Sequence, residues 1–246
     1  MTDYEAVIGL ETHIQLNTKT KIFCSCKADS WGDEPNTNIC PVCSGLPGVL
    51  PVLNMEAAHK GALLAAAMHA KVQPLSYFDR KNYFYPDLPK GYQISQMDLP
   101  VVVGGAITLQ VGQGDKAYEK VVHLTRAHLE EDTGKSQHPG GAGGRIPGSG
   151  YPLIDFNRAG VPLVEIVSRP DIRNAEQARQ YVNELRAILV AVGASDAKME
   201  EGSMRCDANV SVHLPGTPFG TRCEIKNVNS VRSLGRAIEY EARRQI

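Results

Sequence analysis

The chain has little that would advertise a partner. Its 26 Lys and Arg stand against 27 Asp and Glu, for a formal net charge of −1 over 246 residues. No global basic field marks it as a nucleic-acid binder, so any RNA contact must be local or lie outside this chain. No run of about 18 apolar residues is present, and the acidic start Met1-Thr-Asp-Tyr-Glu5 does not resemble a signal peptide. The expectation is a soluble, cytoplasmic protein with no membrane partner. A phosphate loop of the Gly-x-x-x-x-Gly-Lys type is missing, as is a protein-kinase signature, so any ATP site must be of another kind. Hydrophobic residues at 42 % and charged residues at 22 % are ordinary for a globular protein, and the length allows one large domain or two small ones.

What is present is alternation with an unusual polar side. In Met199–Val212 every second residue gives Glu201, Ser203, Arg205, Asp207, Asn209 and Ser211 on one side, and Met204, Cys206, Ala208, Val210 and Val212 on the other. Period two predicts a β-strand. A half-buried strand ordinarily turns Lys, Glu and Thr to solvent; short ligand-type oxygens plus an Arg suit a divalent cation and phosphate instead. Residues 5–17 alternate too, placing Glu11 and His13 on one face, about 7 Å apart, where they can share a metal ion. From Lys120 the strand pattern ends in Arg126, His128, Glu130 and Asp132 on one parity. Glu165 is a lone carboxylate in the apolar run Val161–Val167, so it needs a cation, a metal or an opening to solvent. In Thr221–Asn229, Arg222, Glu224 and Lys226 share a parity.

Of the six cysteines, Cys24, Cys26, Cys40 and Cys43 form two close pairs around a loop rich in Asn, Asp, Gly and Pro. In a cytosolic chain this favours a tetrahedral structural zinc site over disulfides, stapling a segment too polar to fold alone. Free thiols or a redox pair are the alternatives. Cys206 and Cys223 sit in apolar alternation and read as small buried hydrophobes.

The remaining stretches read as scaffold. Asn54 caps a helix from Met55 to about Ala70, with His59 and His69 as surface or packing histidines. Residues 174–192 form an amphipathic helix with Ala178, Tyr181, Leu185, Ile188, Leu189 and Val192 on one stripe and Gly193 as its stop. Ser230 caps a final helix through Val231, Leu234, Ile238 and Ala242, which runs to Ile246 without a stop signal, as in a chain cut from a longer parent. The segment 78–96, broken by Pro86 and Pro89, reads as an ordered, irregular loop carried by Tyr83, Phe84, Tyr85 and Tyr92. The glycine-rich stretch 139–150 reads as a flexible hairpin.

Together these stretches predict an α+β domain: an antiparallel sheet curved into a trough and flanked by helices. Carboxylates on its concave face would hold Mg²⁺, and Arg and Lys would meet a nucleotide triphosphate. That combination predicts phosphoryl transfer.

Several blocks carry a resemblance. Ile8-Gly-Leu-Glu-Thr-His13, Phe78-Asp-Arg-Lys-Asn-Tyr-Phe-Tyr-Pro86, Tyr92-Gln-Ile-Ser-Gln96, His128-Leu-Glu-Glu-Asp132, Asp155-Phe-Asn-Arg158, Glu165-Ile-Val-Ser168, Met199 to Ser211 and Glu224-Ile-Lys-Asn227 resemble the B subunits of aspartyl/glutamyl-tRNA amidotransferases, in order and over nearly the whole chain. The resemblance implies a fold similar to the glutamine synthetase and guanidino kinase catalytic core. It implies one catalytic cradle domain over residues 1–246, with a zinc-binding insertion at about 22–46, and without the helical and tail domains that follow in the family. It also implies the reaction: ATP phosphorylates the side-chain carboxylate of Glu-tRNA(Gln) or Asp-tRNA(Asn), and ammonia displaces the phosphate. The ammonia would come through a channel from a partner amidase (glutaminase) subunit. A small third subunit would brace the pair, and the tRNA 3′ end would enter the trough.

On that reading Mg²⁺ lies on Glu11, His13 and Glu130, with Glu165, Asp207 and Glu224 as candidates for the same or a second ion. Arg158, Arg205 and Lys226 are candidates for phosphate or substrate-carboxylate contacts, and Ser203 and Asn209 for the nucleotide. The segment around Lys81, Tyr83 and Tyr85 is a candidate channel lining, and Cys24, Cys26, Cys40 and Cys43 hold structural Zn²⁺. Two other classes compete: a zinc-stabilised binding or assembly module without catalysis, and a carboxylate–amine ligase acting on a small molecule.

Overall fold

A computed structural model describes residues 3–141 and 146–246. The first strand, β1 (Glu5–Gln15), is followed by the cysteine-bearing segment and by α1 (Met55–Ala67). Asn54 caps α1, its side chain accepting the Glu56 N–H at 3.0 Å. Next come β2 (Lys71–Val72), β3 (Asp79–Asn82), β4 (Tyr92–Ser95), β5 (Val102–Val103), β6 (Ala106–Val111), β7 (Tyr118–Glu131), β8 (Lys135–Gln137) and β9 (Leu153–Asp155). They are followed by β10 (Pro162–Ser168), α2 (Ala175–Ala191), β11 (Met204–His213), β12 (Cys223–Val228) and α3 (Val231–Gln245). Among the described residues no helix is long and apolar enough to cross a membrane.

Eight strands form one sheet in the order β12-β11-β1-β10-β7-β5-β2, with β6 paired to β7, and every pairing is antiparallel. The alternation in β1, β10 and β11 sorts their side chains to two faces. Ile8, Leu10, Ile14, Val164, Ile166, Cys206, Ala208 and Val210 join Leu64 of α1, Tyr181, Leu185 and Leu189 of α2, and Leu234 and Ile238 of α3 in one core. Each fully buried Leu or Ile contributes roughly 1.5–3 kcal/mol, so the helical face holds the sheet and frees the other face for polar groups. α2 begins where Asn174 accepts the Gln177 N–H at 2.9 Å and ends before Gly193, whose φ of 68° suits glycine. Ser230 likewise caps α3, accepting from the Ser233 N–H at 3.1 Å.

The structure departs from the sequence expectations at several places. Residues 78–96 are not wholly irregular: β3 and β4 pair within them as a two-stranded sheet. In β7, Val122 and Leu124 are core residues, yet further along the core positions are Ala127 and Leu129. The parity flips because Thr125 has no partner where Val167 pairs with Arg126 and Ser168 with Leu124, a bulge that inserts one residue. β11 starts only at Met204, since Gly202 takes a φ of 81° and residues 199–202 turn. Cys223 is only half-buried, whereas Cys206 is buried as expected. The glycine-rich stretch does join paired strands, β8 to β9, although residues 142–145 of it lie outside the described residues. His59 and His69 are exposed, in keeping with their reading as surface histidines.

Candidate active site

Neighbouring strands put four groups in one row. His13 on β1 lies opposite Glu165 on β10, which lies opposite His128 on β7, and on the other side His13 lies opposite Arg205 on β11. The register thus sets imidazole, carboxylate and imidazole side by side on the polar face. His13 Nε2 is 3.5 Å from Glu165 Oε2 and 3.7 Å from Glu130 Oε1. His128 Nε2 is 3.1 Å from Glu165 Oε2 and 3.8 Å from Glu130 Oε2. Glu130 also accepts from Ser95 Oγ at 3.2 Å.

Burial shapes the charges. It would raise the Glu165 carboxyl, but hydrogen bonds from His128 and His13 outweigh it and hold the group well below the usual carboxylate range. Burial disfavours the His13 cation, yet the bond to Glu165 and the charge of Glu130 outweigh that and raise the imidazole above its ordinary value. On the far side of its ring, His128 Nδ1 faces Arg126 Nε at 3.4 Å, so its Nε2 edge is turned to the carboxylates. One ligand atom each from His13, Glu130 and Glu165 lies within 4.8 Å of the others, close enough to share one cation.

Beside this row stands an Arg–Asp–Arg arrangement. Asp132, 4 % exposed, receives Arg205 Nη2 at 3.0 Å and Gln15 Nε2 at 2.7 Å, and Arg158 Nε lies 3.6 Å away. Burial pushes the Asp132 carboxyl up, but the two guanidinium groups and Gln15 reverse this and lower it. Arg158 is further fixed by donating to the carbonyls of Thr133 and Gly134 at 3.0 and 2.6 Å. Both guanidinium groups remain partly open to solvent, so they combine fixed geometry with access.

Towards the edge of the sheet lies a second acidic group. Glu11 is opposite Asp207 and accepts from Asn209 Nδ2 at 2.9 Å. From β12, Lys226 Nζ lies 3.0 Å from Glu224 and 3.8 Å from Asp207. Burial leads the influences that raise the Asp207 carboxyl, with His13 and Lys226 opposing it. A cavity of about 250 Å³ opens here, lined among others by Glu11, Ser168, Asn209, Phe219 and Arg222. Ser203 is not part of this group: its hydroxyl binds Asp196 and accepts the Lys198 N–H at 2.9 Å, closing the turn before β11. Glu201 likewise pairs with Lys198 at 2.9 Å.

The four early cysteines also meet. One sulfur from each of Cys24, Cys26, Cys40 and Cys43 lies within 4.8 Å of the others, and Cys40 and Cys43 are 3.9 Å apart at sulfur. That edge suits a tetrahedron with metal–sulfur bonds of about 2.3 Å. A hydrogen bond from Cys24, opposed by burial and helped by the Cys40 N–H and Lys21, pulls the Cys43 thiol down to about 4, whereas Cys24 is pushed up. Four sulfurs at this spacing are the donor set that a soft metal ion takes.

The family model described as the GatB/GatE catalytic domain matches residues 6–246. The chain belongs to that family. It is 56 % identical over 99 % of its length to the B subunit of the aspartyl/glutamyl-tRNA(Asn/Gln) amidotransferase of Moorella thermoacetica, covering 49 % of that protein. It is 59 % identical over its whole length to the protein of that name from Dechloromonas aromatica, covering 49 % of it, and 53 % identical to the one from Crocosphaera subtropica, covering 50 %. The chain therefore spans about half the length of the curated relatives it matches.

Within this family member, several contributors to the site escape a reading by alternation. His128 and Asp132 share the parity of Glu130, but nothing local says that they meet Glu165 and Arg205 from other strands. Gln15 continues the Glu11, His13 series and is the readable signal for the face reaching Asp132. Glu131 turns away from the row: it pairs with Lys90, accepts the Ile94 N–H at 2.9 Å, and is raised by burial despite the Lys90 charge. Lys81 and Tyr83 lie together at the exposed end of β3, with Lys81 Nζ 5.9 Å from the Tyr83 ring centroid.

Proposed function

We propose that the polar face is the ATP-dependent kinase and transamidase site of an aminoacyl-tRNA amidotransferase, on one catalytic cradle domain similar in fold to the glutamine synthetase and guanidino kinase core. The substrate would be the side-chain carboxylate of Glu-tRNA(Gln) or Asp-tRNA(Asn), presented at the tRNA 3′ end. A carboxylate oxygen attacks the γ-phosphorus of ATP, ADP leaves, and an acyl phosphate forms. Ammonia then attacks the carbonyl carbon and phosphate departs, giving the amide. A partner amidase would supply the ammonia from glutamine, past the Lys81, Tyr83 and Tyr85 segment, with a small third protein completing a cytoplasmic heterotrimer.

The observation that carries this reading is the row His13–Glu165–His128 with Glu130, set beside Arg205–Asp132–Arg158. His13, Glu130 and Glu165 would hold one divalent cation, proposed as Mg²⁺, with Glu11, Asp207 and Glu224 as the candidate set for a second. Such an ion neutralises charge on the transferred phosphoryl group. The two carboxylates suit Mg²⁺ or Mn²⁺, whereas the His13 imidazole is a ligand that softer divalent ions take more readily. Arg205 and Arg158, held by Asp132, would orient the phosphoryl group or the substrate carboxylate. Asn209 lines the cavity at Glu11, whose Phe219 and Arg222 suit a nucleotide base and its phosphates, and Lys226, held by Glu224 and Asp207, would be a further phosphate contact. Structural Zn²⁺ would occupy Cys24, Cys26, Cys40 and Cys43.

Glutamine-dependent amidation by the chain in complex with the amidase and the small third protein, comparing Glu-tRNA with free glutamate as acceptor, tests this. Amide should form on the tRNA only, and Arg205→Met should lower the rate by roughly 100-fold or more. Equal amidation of free glutamate would make it a small-molecule ligase. No amidation, with no ATP bound, would leave a zinc-stabilised assembly module.

A further inference from the structure

Among the described residues, the most deeply buried charged side chain lies outside the polar face. Lys21 has 0 % exposure, and a lysine is almost never fully buried unless it is paired. Its Nζ donates to the carbonyls of Asn38 and Phe156 at 3.0 and 3.5 Å and sits 3.5 Å from Cys43 Sγ. Two neutral carbonyls do not neutralise an ammonium. The four-cysteine centre would: four thiolates around one Zn²⁺ would remain negative overall, with Lys21 as the cation against them.

The same side chain holds the turn that carries Arg158. Phe156, one of its acceptors, begins the turn 156–161. The Asn38 N–H donates to Asn157 Oδ1 at 2.8 Å, Asn157 Nδ2 returns to the Glu34 carbonyl at 2.8 Å, and the Phe156 N–H donates to Asn36 Oδ1 at 2.8 Å, so three bonds tie the cysteine loop to this turn. Gly160 closes the turn with a φ of 85°; a Cβ there would meet Cys43 Cβ at 3.4 Å and Lys21 Cδ at 3.5 Å. Gly160 N–H in turn donates to the Asp132 carbonyl at 2.9 Å, and its own carbonyl accepts the Ile22 N–H at 2.9 Å. Contacts thus run without a break from the cysteine centre to Asp132.

We propose that Lys21 is a positioning residue: its ammonium balances the metal-bound thiolates and, through the Phe156–Gly160 turn, the cysteine centre sets Arg158 and Asp132 in place. The role assigned to Arg158 rests on the function proposed above; the coupling itself does not, and it is read without nucleotide or tRNA. The experiment uses the zinc-loaded chain, Lys21→Met and Lys21→Arg, with two readouts: the rate of Zn²⁺ release to a chromogenic chelator, and deuterium uptake of peptides spanning 154–161. Lys21→Met should release Zn²⁺ about tenfold faster or more, and Lys21→Arg, which keeps the charge, should stay close to the parent rate. Stripping zinc from the unmutated chain should raise uptake at 154–161, a readout that does not depend on either variant folding. Unchanged uptake at 154–161 on stripping overturns the coupling. Equal release rates for Lys21→Met and the parent, or equally fast release from both variants, overturn the charge-balancing role. Failure to bind ATP would defeat the kinase reading and leave both of these results intact.

Discussion

Arg205 reaches Asp132 across two intervening strands. Arg205 is on β11 and Asp132 follows β7, with β1 and β10 between them, yet Nη2 and Oδ1 are 3.0 Å apart. Asp132 pulls the guanidinium group up from its ordinary range, the main cause being its charge, and Gln15 of β1 donates to the same carboxylate. Asp132→Asn should therefore cost about 2 kcal/mol, less than for a fully buried pair because Arg205 is 34 % exposed. Urea denaturation measures it. The same variant should weaken ATP binding, since Arg205 and Arg158 lose the group that aims them; unchanged stability and binding would show that the bridge is incidental.

Among the described residues Tyr181 is the largest fully buried side chain, and its hydroxyl has no hydrogen-bond partner there. Burial drives its phenol far above the ordinary range. Tyr181→Phe removes a buried, unsatisfied oxygen at almost no change of shape, so stability should stay level or rise by up to about 1 kcal/mol, or about 2–4 °C in Tm. A fall in Tm of that size would mean that the hydroxyl has a partner in solution.

Gly160 is required by its positive φ of 85°; a Cβ there would touch Cys43 and Lys21 only at ordinary contact distances of 3.4 and 3.5 Å. Gly160→Ala should cost about 1 kcal/mol through backbone strain and, because the turn packs on Cys43, should increase zinc loss during dialysis against chelator. Gly48, with φ 85° and open space around it, is the control: alanine there meets a similar backbone cost and should leave zinc loss unchanged.

Asp171 ties the connection before α2 to β7, accepting both the N–H of His123 at 2.9 Å and its ring Nδ1 at 2.8 Å. Burial alone would raise its pKa; these bonds outweigh it and lower it. A carboxyl lowered on folding adds stability that is fully present above its unfolded value of about 3.9 and is lost as pH falls through the folded value. Asp171→Asn should cost about 0.5–1 kcal/mol at pH 7, and the difference from the parent should shrink as pH falls below the ordinary carboxylate range. A gap that is independent of pH in thermal melts would assign the effect to packing.

The faces of β1, β10 and β11 are legible because period two is a local property: Glu11 and His13, Glu165, and Arg205, Asp207 and Asn209 are found on the polar side as their spacing requires. Register is not local. That His13, Glu165 and His128 stand in one row depends on which residue of each strand faces which, and no residue within a strand records it. The bulge at Thr125 hides the matter further, because it reverses the parity of β7 between Leu124 and Ala127. Ser203 extends an apparent alternation through Gly202, where the backbone turns instead. Lys21 carries no local signal, since its burial comes from a loop and a turn more than a hundred residues apart in sequence, its contact with Phe156 spanning 135 positions.

The central claim, that the polar face is an ATP and divalent-cation site, is tested most directly by isothermal titration of the chain with ATP in the presence of Mg²⁺, alongside Glu165→Gln and Glu130→Gln. The account predicts saturable binding by the parent chain, dependent on the cation, and a loss of at least about tenfold in both variants. No binding by the folded parent, or affinity in both variants equal to the parent's, would contradict it.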